Sequence, residues 1–289
     1  MTNWQRWKGI QKWYPFEEKR LATWESPYLV NIKYDGDRCV DEPLYNGEHL
    51  LLSSEENPFL LLPHINKALK DLNYGQKLDG ELYNHQLFLD GGHELVHGVA
   101  SRSVNIHPRY KELEFHIFDI QRKDLPQSDR LKMLNDLKPY IKYPLVIVPY
   151  WICNTLDDIK RVYDSVIEQK YEGIVVKNLF APYEINKRSR WQMKFKPKQQ
   201  DKYKIVGWKE EVSMDGVPKK RIGSIIFSSQ SGDEFAVSAG LDDDDREKYW
   251  NIRDQLYGKY GIVHYQHLTN KKIPKGTFDM EVIENEQDS

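Results

Sequence analysis

Two cysteines, Cys39 and Cys153, in 289 residues are too few for a disulfide framework, and no C-x-x-C pair marks a thiolate metal knuckle. Long hydrophobic runs are missing as well. The richest apolar stretch, 144–153, is too short to cross a bilayer. Residues 1–20 alternate Trp, Lys and Arg around no apolar core of signal-peptide length. There is no internal repeat and no low-complexity segment. An excess of one charge is also lacking: the net charge of −2 does not by itself announce a polyanion as partner. These absences predict an untargeted cytoplasmic protein in a reducing compartment, with no membrane partner.

What is present is an ordinary globular composition, 39% hydrophobic and 30% charged, long enough for one large domain or two. The charge is unevenly placed. Residues 187–221 carry twelve Lys or Arg against four acids, a local excess of eight. Asp242 to Asp245 is an acidic block, and 279–288 carries five acids and no base. A basic band on an acidic body is suited to tracking a phosphate backbone, although a solvated lysine-rich hinge reads the same way.

Residues 1–27 look helical and amphipathic, with Trp4, Trp7, Ile10 and Trp13 at spacing three before Pro15. Alternating or apolar runs then predict strands at 28–34, 49–53, 77–83, 86–89, 113–120, 145–150, 173–177 and 191–196. Helical spacing predicts helices at 60–72, 128–137 and 156–169. The polar stretch 196–200 reads as a linker. Beyond it come strand-like runs at 203–209, 222–228 and 234–239, a helix at 243–257, and strands near 262–267 and 278–283. The class is α+β, mixed and mostly antiparallel, with a small Greek-key barrel at the end. The expected domains are 1–198 and 199–289.

The most informative string is Lys33-Tyr34-Asp35-Gly36-Asp37-Arg38, a K-x-D-G-x-R sequence directly after the run 28–32. Four fixed positions recur by chance at roughly one starting point in 10⁵, so its companions decide the matter. They follow in order: Leu78-Asp79-Gly80-Glu81-Leu82, Phe115-His116-Ile117-Phe118-Asp119, Glu172-Gly173-Ile174-Val175-Val176-Lys177 and Trp191-Gln192-Met193-Lys194-Phe195-Lys196. A lysine acting as a nucleophile must first lose its charge, which burial or neighbouring cations promote. Lys33, folded against Lys194 and Lys196, would meet that need. If the K-x-K pair continues a strand, both side chains share one face.

Together these strings resemble the covalent nucleotidyltransferases, and among them most closely the ATP-dependent DNA ligases. The resemblance implies a nucleotidyltransferase (adenylation) domain followed by an OB-fold barrel. It implies lysyl-AMP chemistry at Lys33, with Asp35 supporting nick sealing. Nucleotide contacts fall to Asn31, Ile32, Arg38, Glu81, Phe118, Lys177, Arg188, Lys194 and Lys196. Phe118 is the ring expected on the purine. Glu81 and Glu172 are the carboxylates for Mg²⁺ (or Mn²⁺). The implied partners are ATP and nicked double-stranded DNA, acted on by a monomer in repair, replication or recombination, with the core and barrel alone engaging the nick.

Three departures stand out. Asn31 occupies the place usually held by Glu. Ser53-Ser54-Glu55 lacks the arginine expected after serine. The element Ile273-Pro274-Lys275-Gly276-Thr277-Phe278 matches an Arg-x-Pro-x-Phe pattern only loosely, with Lys275 its nearest cation. His93-Glu94-Leu95-Val96-His97 is a literal H-E-x-x-H, but the extended zinc-protease pattern fails at Ala100 and Ser103. RNA ligase, a capping guanylyltransferase and a non-catalytic nucleic-acid-binding module are the alternatives weighed. The intact Lys33, Glu81, Glu172, Lys194 and Lys196 argue against the last.

Overall fold

In the computed structural model the described residues are 9–283 except 198, 214, 266, 270, 271, 276 and 278. Trp4, Trp7, Lys198, Gly276, Phe278 and the acids at 284, 286 and 288 therefore lie outside the description. The chain divides into two compact units, Met1–Phe195 and Lys196–Ser289.

Two five-stranded sheets build the first unit. One has the order β1-β10-β9-β2-β8, from β1 (Lys12–Pro15), β2 (Tyr28–Lys33), β8 (Tyr150–Cys153), β9 (Gly173–Asn178) and β10 (Arg188–Phe195). The other runs β4-β3-β5-β6-β7, from β3 (Asp37–Pro43), β4 (His49–Leu52), β5 (Leu78–Tyr83), β6 (Glu114–Ile120) and β7 (Leu145–Ile147). All pairings are antiparallel except β1 with β10 and β6 with β7. Strands β5 and β9 are buried at every position, as strands covered on both faces are, and so carry Asp79, Glu81 and Lys177 out of water. Helices α1 (Glu18–Leu21), α2 (Pro63–Leu72), α3 (His85–Ala100), α4 (Gln127–Leu137) and α5 (Leu156–Glu168) complete the unit. Thr155 and Asp158 close a reciprocal capping box that starts α5.

Several expectations need correction. Residues 86–89 open helix α3 rather than forming a strand. Asn84 caps it by accepting from the Leu87 amide at 3.0 Å, and Leu87 is buried in the core. The helical spacing that includes Trp13 is overridden, because 12–15 pairs with β10 as a strand. The run 145–150 splits into β7 and β8. Strand β3 was not foreseen, since its charged residues hide the alternation; its Asp41 is buried against His49 at 2.8 Å.

The second unit is a five-stranded antiparallel sheet, β13-β12-β11-β14-β17, from β11 (Gln199–Val212), β12 (Pro218–Ser228), β13 (Glu234–Val237), β14 (Tyr260–Tyr265) and β17 (Asp279–Ile283). Its edges are not paired with each other among the described residues, so no closed barrel is seen. A short ladder joins β15 (His267–Leu268) to β16 (Pro274–Lys275). The expected single helix is two, α6 (Asp243–Asn251) and α7 (Arg253–Leu256), and β11 begins inside the expected linker. Part of the basic band is neutralised locally. Arg221 pairs with Glu211 at 2.7 Å and Asp243 at 2.9 Å, and Lys219 pairs with Glu211 at 2.7 Å.

The two sheets of the first unit are joined by a buried ion network. On β6, the Asp119 carboxylate accepts from Arg130 of α4 (Nε at 2.7 Å, Nη2 at 3.2 Å) and lies 3.8 Å from Lys177 Nζ on β9. Arg130 also donates to the Leu125 carbonyl at 2.7 Å and to Gln127 Oε1 at 2.8 Å, so its donors are well used. Removing one partner of a buried pair strands the other charge. Arg130→Ala should therefore destabilise the first unit by about 3–5 kcal/mol, read as a fall in its urea midpoint. Arg130→Met combined with Asp119→Leu should cost markedly less, because no buried charge is left alone.

Candidate active site

Lys33 is the last residue of β2 and lies opposite Gly173 of β9, which brings Glu172 within reach of it. Lys33 Nζ donates to Glu172 Oε2 and to the Tyr34 carbonyl at 3.3 Å. Burial is the main cause that lowers the Lys33 ammonium below its ordinary value. Glu81 and Asp35 oppose it, and the Arg38 guanidinium adds to it. Desolvation is thus the chief lever on Lys33. Lys194 on β10 faces a related environment: burial depresses its pKa first, and Lys33 and Arg188 depress it further. Lys196 lies past the end of β10 and belongs to the second unit, so the K-x-K pair does not share one strand.

Gly36 lets the turn after Lys33 press onto β5, since a Cβ there would sit 2.4 Å from the Leu82 carbonyl oxygen. The turn leads into Arg38, which lies opposite Glu81 in the sheet. Arg38 is bound bidentately by Asp79, Nε to Oδ1 at 2.7 Å and Nη2 to Oδ2 at 2.6 Å. Asp79 also accepts from the Tyr183 hydroxyl at 2.6 Å. Sequence reasoning passed over this carboxylate, although it sits inside the Leu78-Asp79-Gly80-Glu81-Leu82 string. Glu81 is 7% exposed, and burial pushes its carboxyl up to about 7, against the pull of Lys33 and Arg38.

Phe118 lines a small cavity with Asn31, Ile32, Lys33, Glu81 and Lys177. Its ring lies 4.6 Å from the Arg38 guanidinium and 4.9 Å from Lys177 Nζ. At 8% exposure it also joins the apolar core, so the wall and core readings describe the same ring. Lys177 donates to the Phe118 carbonyl at 3.1 Å, and burial lowers its pKa to about 8 despite Asp119. Asn31 is buried; its Nδ2 donates to the Pro149 carbonyl at 3.2 Å, and its Oδ1 has no partner. Asp35 acts on Lys33 through its charge. Arg188 is exposed and donates to the Trp13 carbonyl at 3.1 Å.

The cavity thus gathers Asn31, Ile32, Lys33, Glu81, Phe118 and Lys177, with Arg38, Glu172 and Lys194 at their side. Trp13 completes its wall and was not anticipated as a site residue. His93 and His97 do share a helix face. Their partner is Asp37, 3.0 Å from His97 Nδ1 and 3.8 Å from His93 Nε2. No cluster of three His, Cys, Asp or Glu able to hold a metal occurs among the described residues. No helix among them is long and apolar enough to cross a membrane.

Residues 15–196 match the family described as the ATP dependent DNA ligase domain. The DNA ligase of African swine fever virus is 27% identical over 284 residues, covering 91% of this chain and 64% of the viral protein. The SPbeta prophage-derived DNA ligase-like protein LigB of Bacillus subtilis is 25% identical over 248 residues, covering 79% of this chain and 84% of that protein. The chain therefore spans less than two thirds of the viral relatives' length. A structure from work on Lig E DNA ligases superposes with a TM-score of 0.74 at 18% identity, over 95% of this chain and 99% of the other. The ATP-dependent DNA ligase from bacteriophage T7, in complex with ATP, gives 0.56 at 15% identity, over 96% and 99%. At such identities the likeness is one of fold, a nucleotidyltransferase domain followed by an OB-fold domain.

Lys177 offers a pH test. Its pKa is about 8 in the folded protein against 10.5 ordinarily, so between these values the unfolded chain keeps a proton that the folded chain has released. Stability contributed by this group therefore rises with pH across that window. The difference in unfolding free energy between the parent protein and Lys177→Met should grow from pH 8 to pH 10. A constant difference would mean that Lys177 titrates normally.

Proposed function

The chain belongs to the ATP-dependent DNA ligase family, and from that premise we propose that it seals nicks in duplex DNA through a lysyl-AMP intermediate at Lys33. One observation carries the reading. The Lys33 amine is buried, its charged form is disfavoured, and it is hydrogen-bonded to a carboxylate able to take its proton. Neutral Lys33 attacks the α-phosphorus of ATP; an N–P bond forms and the bond to pyrophosphate breaks. The proton from Nζ passes to Glu172. AMP then moves to the 5′-phosphate of the nick, freeing Lys33. The 3′-hydroxyl attacks that phosphate, the phosphodiester forms, and AMP leaves.

Phe118 is the stacking surface for the base, and Lys194 and Lys177 offset phosphate charge developing in the transition state. Asn31 and Ile32 bound the base, Arg38 and Arg188 stand by for nucleotide or nick phosphate, and Asp35 serves the sealing step. Glu81 and Glu172 suit Mg²⁺ or Mn²⁺, because they supply hard oxygen donors and Glu81 is a carboxyl whose raised pKa a divalent cation would reverse. When bound, the ion would neutralise phosphate charge and ease departure of pyrophosphate. The second unit is proposed to grip the duplex. Nothing specific favours RNA as substrate.

Lys33→Ala should abolish transfer of label from [α-³²P]ATP to the protein. Sealing of a nick that already carries 5′-AMP should survive in part, because that step uses no lysine nucleophile. Label on the Ala variant equal to that on the parent protein would refute the assignment. A panel of nicked DNA, nicked hybrid and single-stranded RNA, each with ATP, GTP or NAD, defines the substrate.

A further inference from the structure

Trp13 belongs to none of the signature strings, yet its indole forms one wall of the cavity that holds Lys33 and Phe118. The ring stands edge-on to Phe118, with centroids 6.2 Å apart and planes at 61°. Lys33 Nζ lies 5.2 Å from its centroid, and the Arg38 guanidinium 5.1 Å. Its Nε1 is buried with no hydrogen-bond partner. Leaving such a donor unsatisfied is costly, which marks it as a group waiting for an acceptor. Among the residues lining the cavity one other side-chain atom shares that condition, Asn31 Oδ1. The Asn31 amide has no freedom to exchange roles, because its Nδ2 is committed to the Pro149 carbonyl. Two residues of the lining thus carry one fixed acceptor and one fixed donor, neither with a partner in the protein.

That pair fits one purine better than another. Adenine presents a 6-amino donor to Asn31 Oδ1 and ring nitrogens that accept from Trp13 Nε1. Guanine would set its O6 acceptor against the Asn31 acceptor. Space is the second consideration. The cavity has room for only about 10 Å³, roughly one water molecule, so a wall must give before a base enters. The other walls come largely from β2, β5, β6 and β9, all held between two neighbours. Trp13 lies on β1, a four-residue edge strand that among the described residues pairs only with β10. The pairing slips immediately after it: Trp13 is opposite Ser189, but Tyr14 is opposite Met193.

We propose that Trp13 is a specificity-determining residue for the nucleotide: it is the yielding wall of the base slot and gives its indole N–H to a ring nitrogen of adenine. The role rests on ATP being charged onto Lys33, and the test separates the two. The rate of label transfer to the protein is measured with ATP and with 1-deaza-, 3-deaza- and 7-deaza-ATP, each lacking one ring nitrogen. In the parent protein one of the three should raise KM roughly tenfold, with little change in the rate at saturation. In Trp13→Phe, KM for ATP should itself rise about tenfold and that analogue should carry no further penalty, because the donor is gone. Trp13→Leu, which also lacks the N–H, should show the same loss of analogue discrimination if the Phe variant folds poorly. An unchanged penalty in either variant would overturn the role of Trp13 while leaving Lys33 chemistry intact. Failure of the parent protein to take label from ATP would instead overturn the ligase reading.

Discussion

Desolvating several cations in one small volume is the constraint on which the first unit depends. Arg130 and Lys177 are almost wholly buried, and Lys33 and Arg38 nearly so. A cation removed from water is strongly unfavourable unless an opposite charge and good hydrogen bonds accompany it. Each is therefore matched: Asp119 for Arg130 and Lys177, Asp79 for Arg38, Glu172 for Lys33. Several of these pairs also join separate elements. Asp119 ties α4 and β9 to β6, and Glu172 ties the start of β9 to the end of β2. The electrostatic solution and the packing solution are the same set of contacts.

The compensation is uneven, and the unevenness is where chemistry becomes possible. Asp119 stays below its ordinary pKa because two cations outweigh its burial. Glu81 does not, and is pushed up to about 7. Lys33 and Lys177 remain below their ordinary values even though carboxylates face them. A pocket holding an easily deprotonated amine beside a carboxyl near neutrality is matched to proton transfer at physiological pH. Structural pairs such as Asp119–Arg130 fix the elements that form the walls of that pocket.

The second unit solves a different problem. Part of the positive charge that made 187–221 conspicuous is engaged there by neighbours: Lys219 by Glu211, and Arg221 by Glu211 and Asp243. Paired bases contribute less to a phosphate-binding field than their count suggests. The aromatic group of Trp208, Trp250 and Arg253, with the Arg253 guanidinium 4.5 Å from the Trp250 ring, has a similar self-sufficiency.

Much of this was legible in the residues themselves. Lys33, Glu81, Phe118, Glu172, Lys177 and Lys194 were readable because short strings with fixed order and turn chemistry carry them, and strand periodicity placed most of the sheet. The α+β class followed from the same periodicity. Tertiary structure alone decided the rest. Asp79 and Arg130 were not singled out in the sequence; β3 brings Arg38 against the first, and Asp119 takes the second inside. Trp13 read as part of a helix, because a spacing of three cannot tell whether an edge strand will accept the backbone instead. Local pattern determines which residues have the right chemistry. Which of them lose water, and so which pKa values shift, depends on neighbours distant in sequence that only the packed sheets bring together.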